Sequence, residues 1–320
     1  MKPGEAFSPL GTDLFGDPVR PEGQSPLAQR FLFPPFSVLD ARSGEWQMRK
    51  EAWISMGIKS EVGREGNLLG MSKTILAGGF DRNGDAKLVE EGEEPNGGGT
   101  SIFDPVLCEL AYTWWCPPGG QIVDPFSGGS VRGVVASMLG RPYWGCDLRQ
   151  EQVEANGAQA DELCGAPPFP RWVCGDSLEK LAEAPEADMI FSCPPYGSLE
   201  RYSDDPRDLS AMPHDKFIEA YRAIIEAACA KLKNDRFACF VVGDFRDKKT
   251  GLYRNFISST IAAFRACGLG LYNSGILLTS VGSVPMRISG QYEKSRKLGK
   301  IHQDVIVMAK GDPTKWTKPE

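Results

Sequence analysis

From residue 121 onward, short apolar runs alternate with longer stretches in which apolar residues recur three and four apart. The runs Gln121–Val123, Tyr143–Cys146, Trp172–Cys174, Met189–Ser192, Phe237–Val242, Gly270–Leu278 and Asp304–Met308 predict seven strands. Between the fourth and fifth, Phe217, Tyr221, Ile224, Ile225, Ala228 and Leu232 share one helical face, while Asp215, Lys216, Glu219 and Arg222 fall elsewhere. That spacing predicts an amphipathic helix over Pro213–Leu232, packed on the sheet. A helix-like stretch runs from Val131 to Leu139, and SIFDPVLCELAYTWWCPPGG reads as a helix stopped by a Pro-Pro-Gly-Gly turn, with Trp114 and Trp115 as packing residues. Strands alternating with helices in this way predict an α/β class with helices on both faces of an open sheet.

The N-terminal third follows neither period. Residues 1 to about 30 are polar and rich in Gly and Pro, which predicts a flexible tail. FLFPPFSVLD is apolar but punctuated by proline, and EWQMRKEAWISMG predicts one short amphipathic helix. LVEEGEEPNGGGTS is acidic and Gly-rich, with too little apolar content to pack, which predicts a linker at about Val89–Thr100. The expected organisation is therefore a small N-terminal appendage over 1–100 and the α/β domain over 101–320. Within that domain the polar stretch Gly197–Met212 predicts a loop able to close over a substrate.

Charge and cysteine usage narrow the chemistry. A formal charge of −6 argues against a globally basic nucleic-acid binder, so phosphate contacts would need a local patch. The best candidate is Arg287, Lys294, Arg296, Lys297 and Lys300 against the single acid Glu293; standing alone it would read as a solvated loop. Nine cysteines without a C-x-x-C pair and only two histidines give no support for structural zinc, for a metal site, or for a Ser-His-Asp triad. No apolar run of about 18 residues exists and the N-terminus does not read as a secretory signal, so a cytoplasmic protein without membrane attachment is expected.

Two loops carry the chemistry. QIVDPFSGGSVR reads as a strand, a tight turn and a helix, the arrangement in which backbone N–H groups approach a nucleotide-like ligand. Asp124 alone would pass for a turn acid. However, Asp147 in YWGCDL ends the next strand, where an acid can accept from both ribose hydroxyls, and Asp176 with Ser177 follows the third strand, placed for an adenine amino group. The second loop, Ser192-Cys193-Pro194-Pro195-Tyr196, sets a rigid backbone beside an aromatic ring suited to a flat base. Asp244, Arg246 and Asp247 end the fifth strand, and Arg246 suits either a phosphate or an ion pair.

Asp124, Pro125, Phe126, Gly128 and Gly129, together with Cys193, Pro194, Pro195 and Tyr196, resemble the cofactor and catalytic motifs of S-adenosylmethionine-dependent DNA methyltransferases that act on exocyclic amino groups. The resemblance covers roughly Ser101 to Lys310, and PPFSVLDAR at Pro34–Arg42 is similar to the wording of phage-type methylases. It implies a Rossmann-like seven-stranded methyltransferase sheet, S-adenosylmethionine as cofactor and DNA as partner. It also implies that Asp104 and Pro105 lie against the methionine end of the cofactor. A homodimer and a restriction or phage modification partner remain open.

Methylating such an amine needs its nitrogen lone pair aimed at the methyl donor, with an acceptor at the first motif position, a proline carbonyl on the N–H groups, and an aromatic stacked on a flipped base. The acceptor position is occupied by Cys193, nearer to the serine form associated with N4 of cytosine than to the Asp form associated with N6 of adenine. Cysteine also admits another chemistry, addition to C6 of a pyrimidine with methylation at C5, for which Glu200 is the nearest acid. Two further readings stay open: methylation of tRNA, since Pro194–Gly197 is similar to the wording of tRNA guanine methylases, and a catalytically inactive protein that binds cofactor and nucleic acid.

Overall fold

The computed structural model of the protein describes residues 9–10, 24–59, 103–197, 203, 205–282 and 284–316. The chain opens with helix α1 (Pro26–Phe31), strand β1 (Val38–Asp40) and helix α2 (Gly44–Ser55). From residue 103 come α3 (Pro105–Trp115), β2 (Ile122–Asp124), α4 (Val131–Met138), β3 (Tyr143–Asp147), α5 (Gln150–Leu163) and β4 (Arg171–Cys174). Then follow α6 (Ser177–Lys180), β5 (Ala187–Ser192), α7 (His214–Lys231), β6 (Leu232–Val242), α8 (Phe256–Ala266), β7 (Gly270–Leu278), α9 (Val284–Ser295) and β8 (His302–Lys310).

The strands form one sheet in the order β1-β7-β8-β6-β5-β2-β3-β4. β8 runs antiparallel to both β6 and β7, and every other pairing is parallel. All seven strands expected from the apolar runs form, and an eighth joins them from the N-terminal third: Val38, Leu39 and Asp40 pair with Ile276, Leu277 and Leu278 at the far edge. The strand period of two is plain in β6. Phe237, Cys239 and Val241 face one core with α3 and α4, while Ala238, Phe240 and Val242 face the other with α7 and α8. Both faces are therefore covered by helices, which is why the strands read as continuous apolar runs.

Several described residues of the N-terminal third, among them Phe33, Leu39, Trp46, Trp53 and Ile58, contribute to this core. Helix α2 sends Trp46 and Trp53 into the same cluster as Leu107, Leu110 and Tyr112 of α3, both indoles being at most 1% exposed. At about 25 cal/mol per Å² and 150–250 Å² per aromatic, each burial contributes roughly 4–6 kcal/mol. Between the two indoles Arg49 forms a buried two-pronged ion pair with Glu109, and Trp53 Nε1 donates to Glu109 Oε2 at 2.8 Å. The linker expected at 89–100 lies outside the described residues.

One expected loop is corrected. The basic stretch after β7 contains a twelve-residue helix, Val284–Ser295, not an extended loop. Ile288 and Tyr292 stand four apart on it, and Pro285 sits in its first turn, where a missing N–H is tolerated.

Candidate functional site

The parallel strands place their C-terminal ends on one edge, and the order of connection reverses between β2 and β5. β2 leads outward through β3 to β4, and the chain then returns to the other side of β2 as β5. Such a reversal opens a crevice beyond the strand ends, the usual ligand position in an open α/β sheet. A cavity of about 390 Å³ lies there. Its walls include Pro125, Phe126, Gly128 and Gly129 of the first motif loop, and Cys193, Pro194, Pro195 and Tyr196 of the second. The two loops thus meet in space although about seventy residues separate them in the chain.

Asp124, the acid of the cofactor motif, does not present its carboxylate to the cavity. It is fully buried. Arg132 Nε donates to its Oδ2 at 2.6 Å, Tyr143 Oη donates to the same oxygen at 2.7 Å, and the Phe126 amide donates to Oδ1 at 3.1 Å. The Ser192 hydroxyl donates to Oδ1, which ties the residue before Cys193 to the first loop. Arg132 also donates to the carbonyls of Phe126 and Ser127 and stacks its guanidinium over the Phe103 ring at 4.6 Å. Asp124 therefore sets the shape of the loop from beneath. Above it Gly128 adopts φ +50°, a left-handed conformation natural to glycine, and Asn156 Nδ2 donates to its carbonyl at 2.7 Å.

Asp147 and Asp176 do line the cavity, at the ends of β3 and β4. Asp147 accepts from the Arg149 amide at 2.9 Å, and Asp176 caps α6 through the Leu178 amide at 2.9 Å. Ser177 turns inward and donates to the Pro125 carbonyl, fastening the first loop to α6. Asp104 lines the cavity, whereas Pro105 is buried at the start of α3.

In the second loop Cys193 Sγ lies 3.5 Å from Tyr196 Oη, and Gln303 Nε2 of β8 donates to that same oxygen at 2.6 Å. The Tyr196 ring packs edge-on against Phe256 and close over Gly243. Gly197 takes φ +54°, and a side chain there would meet the Phe245 ring at 2.8 Å, so glycine is required for the turn out of the motif. Cys146 also lines the cavity, but burial pushes its thiol up to about 12, which keeps it protonated and inert near neutral pH. Glu200 lies outside the described residues, as does part of the loop expected to close over a substrate. Its described remainder brings Arg207, Asp208 and Leu209 to the cavity wall.

Sequence reasoning missed Gln303, and also Gln47 and Lys50, which α2 brings to the cavity. Of these only Gln47 and Lys50 left a trace in the chain, as polar members of a short amphipathic helix. The basic residues fall on or after α9, which leaves the same edge of the sheet between the end of β7 and the start of β8. Arg287 and Lys294 lie on the helix, and Arg296 follows it with its guanidinium 5.2 Å over the Tyr292 ring. Lys297 approaches Gly251 in the loop after β6, and Lys300 Nζ is 3.5 Å from Asp304. Arg246 stacks on Tyr253 at 3.8 Å within that same loop. Among the described residues no helix is long and apolar enough to cross a membrane, and no three His, Cys, Asp or Glu side chains cluster as metal ligands would.

No protein-family model matches the chain. No curated protein matches it either. Among solved structures it is similar to TrmN from Thermus thermophilus, with TM-score 0.43 and 16% identity over 65% of this chain and 49% of that one. The magnesium protoporphyrin IX methyltransferase ChlM from Synechocystis PCC 6803, solved with bound S-adenosylmethionine, matches with TM-score 0.41 and 12% identity over 65% of this chain and 79% of that one. A provisionally named DNA modification methylase, also from Thermus thermophilus, matches with TM-score 0.31 and 18% identity over 42% of this chain and 50% of its own. The chain thus spans about half the length of TrmN.

Proposed function

We propose that the protein is an S-adenosylmethionine-dependent methyltransferase acting on an exocyclic amino group of a DNA base, N4 of cytosine or N6 of adenine. The observation that carries this reading is the cavity walled by Gly128 and Gly129 on one side and by Cys193–Tyr196 on the other. The residues present suit the cofactor. A volume of about 390 Å³ lies within the range of small-molecule sites, the glycine turn lets a ligand approach the backbone, and Asp147 and Asp176 offer acceptors for ribose hydroxyls and an adenine amine.

When bound, the cofactor supplies an electrophilic methyl group. The protein's part is positioning. The rigid Pro194-Pro195 backbone on the cavity wall offers a proline carbonyl to the target amine, and Cys193 Sγ, on the same wall, serves as the second, weaker acceptor. Withdrawing both N–H groups into hydrogen bonds turns the nitrogen lone pair out of conjugation with the ring. Gln303 holds the Tyr196 hydroxyl, which fixes the ring against which a flipped base would stack. The basic residues on and after α9 stand on the same edge, suited to the phosphates flanking the target.

The test is to incubate the full chain with tritium-labelled S-adenosylmethionine and unmodified DNA, digest to nucleosides, and identify the labelled one by mass spectrometry. Label in N4-methylcytosine or N6-methyladenine is expected. Label in 5-methylcytosine would replace the amino mechanism with attack by Cys193. Label in tRNA but not DNA would move the substrate to RNA, and cofactor binding without transfer to either would leave a binding protein.

A further inference from the structure

Helix α2 carries a lysine to the cavity from outside the segment that holds the motifs. Trp46, Arg49, Lys50 and Trp53 stand at i, i+3, i+4 and i+7, so they share one face of the helix, the face turned to α3. Both indoles and the Arg49–Glu109 pair lock that face in register, which fixes where the Lys50 stem begins. The Lys50 ammonium then lies 3.3 Å from Asp104 Oδ2 while its side chain stays 28% exposed, on the cavity wall.

Asp104 is held on every side. Its Oδ1 accepts from the Val106 and Leu107 amides at 3.0 and 3.4 Å as the cap of α3, and its Oδ2 accepts from Trp46 Nε1 at 3.1 Å. So engaged, it acts as the anchor that aims Lys50. An ammonium has three donors, and the Asp104 contact uses one.

The position along the sheet identifies what the other donors meet. Asp176 follows β4 and Asp147 ends β3, so these two carboxylates stand together toward one end of the cavity. Phe103, next to Asp104, packs edge-on at 5.9 Å against Phe191 of β5, two strands beyond β3, so Lys50 stands toward the other end. A ligand complementary to this wall has hydrogen-bond donors at one end and an anion at the other. Resting on the cofactor reading above, we propose that Lys50 binds the α-carboxylate of the methionine moiety, and that helix α2 therefore completes the cofactor site.

The test measures binding, without any methyl acceptor, by calorimetric titration of the full chain with S-adenosylmethionine and with decarboxylated S-adenosylmethionine, which lacks only the carboxylate. Wild type is expected to prefer the carboxylated ligand, and Lys50→Gln to weaken that ligand about 10- to 100-fold, as loss of a charge-assisted hydrogen bond does. The same variant should leave the decarboxylated ligand within about twofold, closing a cycle that isolates the Lys50–carboxylate pair. Lys50→Met, which keeps the apolar stem packed, should behave likewise should Lys50→Gln fail to fold. Equal weakening of both ligands would overturn the proposal and make Lys50 a support for Asp104. Unchanged binding of S-adenosylmethionine by either variant would overturn it while the cofactor reading stands. Failure of wild type to bind S-adenosylmethionine would remove both.

Discussion

The two sides of the cavity are built in opposite ways. The loop after β2 is locked from below: Asp124 is fully buried and takes donors from Arg132, Tyr143, Ser192 and the Phe126 amide, while Asn156 and Ser177 hold the carbonyls of Gly128 and Pro125. The side toward α9 is open. Tyr196 is tethered by Gln303, but beyond it Leu252 and Leu298 are 69% and 73% exposed at the surface that carries the basic residues. A small ligand of constant shape gains affinity from a site that needs no ordering on binding. A polymer must arrive, be distorted and leave, so the surface that meets it cannot be closed in advance.

The largest expected effect comes from cutting the lock. Asp124→Asn removes the charge partner of Arg132, a guanidinium 5% exposed, and leaves a buried cation without its anion. Breaking such a pair by one partner typically costs about 3–5 kcal/mol, so thermal or urea unfolding should show a loss of that order. Ser192→Ala, which removes one hydrogen bond to the same carboxylate, should cost about 1 kcal/mol. An Asp124→Asn protein with unchanged stability that merely lost cofactor affinity would break the comparison, because the carboxylate would then be a ligand contact after all.

What the chain discloses in advance follows the same division. The seven strands and the helix over 213–232 were legible because their periods are local, and both motif loops were legible because turn chemistry is local. Local patterning gives no sign of a partner far along the chain. Glu109 is sixty residues from Arg49, and Gln303 is 107 residues from Tyr196. β1 escaped notice because three residues are too few to establish a period, and its pairing depends on β7. Gly290 and Pro285 lowered the helical signal of α9. At Asp124 the motif showed that a carboxylate is needed, and the geometry of Arg132 and Tyr143 shows which groups use it.

The open side is probed next. If the substrate is DNA, as proposed, and each residue meets a phosphate, replacing Lys294, Arg296 and Lys297 together by glutamine should weaken binding on all sequences alike and lower the slope of log K against log salt by about 2–3. Titration with S-adenosylmethionine should be unchanged, since none of the three lines the cavity. A salt slope equal to wild type would mean that the exposed residues on and after α9 do not meet phosphate. The two sides of the cavity would then differ in packing without differing in ligand.

A smaller effect separates chemistry from architecture at the junction of the two loops. Cys193 follows Ser192, which is bonded to the locked carboxylate, and it touches Tyr196, which is bonded to β8, so one residue joins both regimes. If its role is to accept a hydrogen bond from the target amine, a serine hydroxyl does that better than a thiol, and Cys193→Ser should change kcat by no more than about threefold in either direction. If its role is to form a bond to C6 of the base, the same change should abolish turnover, because an unactivated hydroxyl is a far poorer nucleophile than a thiolate. Single-turnover transfer by Cys193→Ser therefore reads directly whether the second loop only positions the base or reacts with it. The expectation is near-wild-type transfer, since serine keeps a hydrogen-bonding group of similar shape at the first position of the second loop.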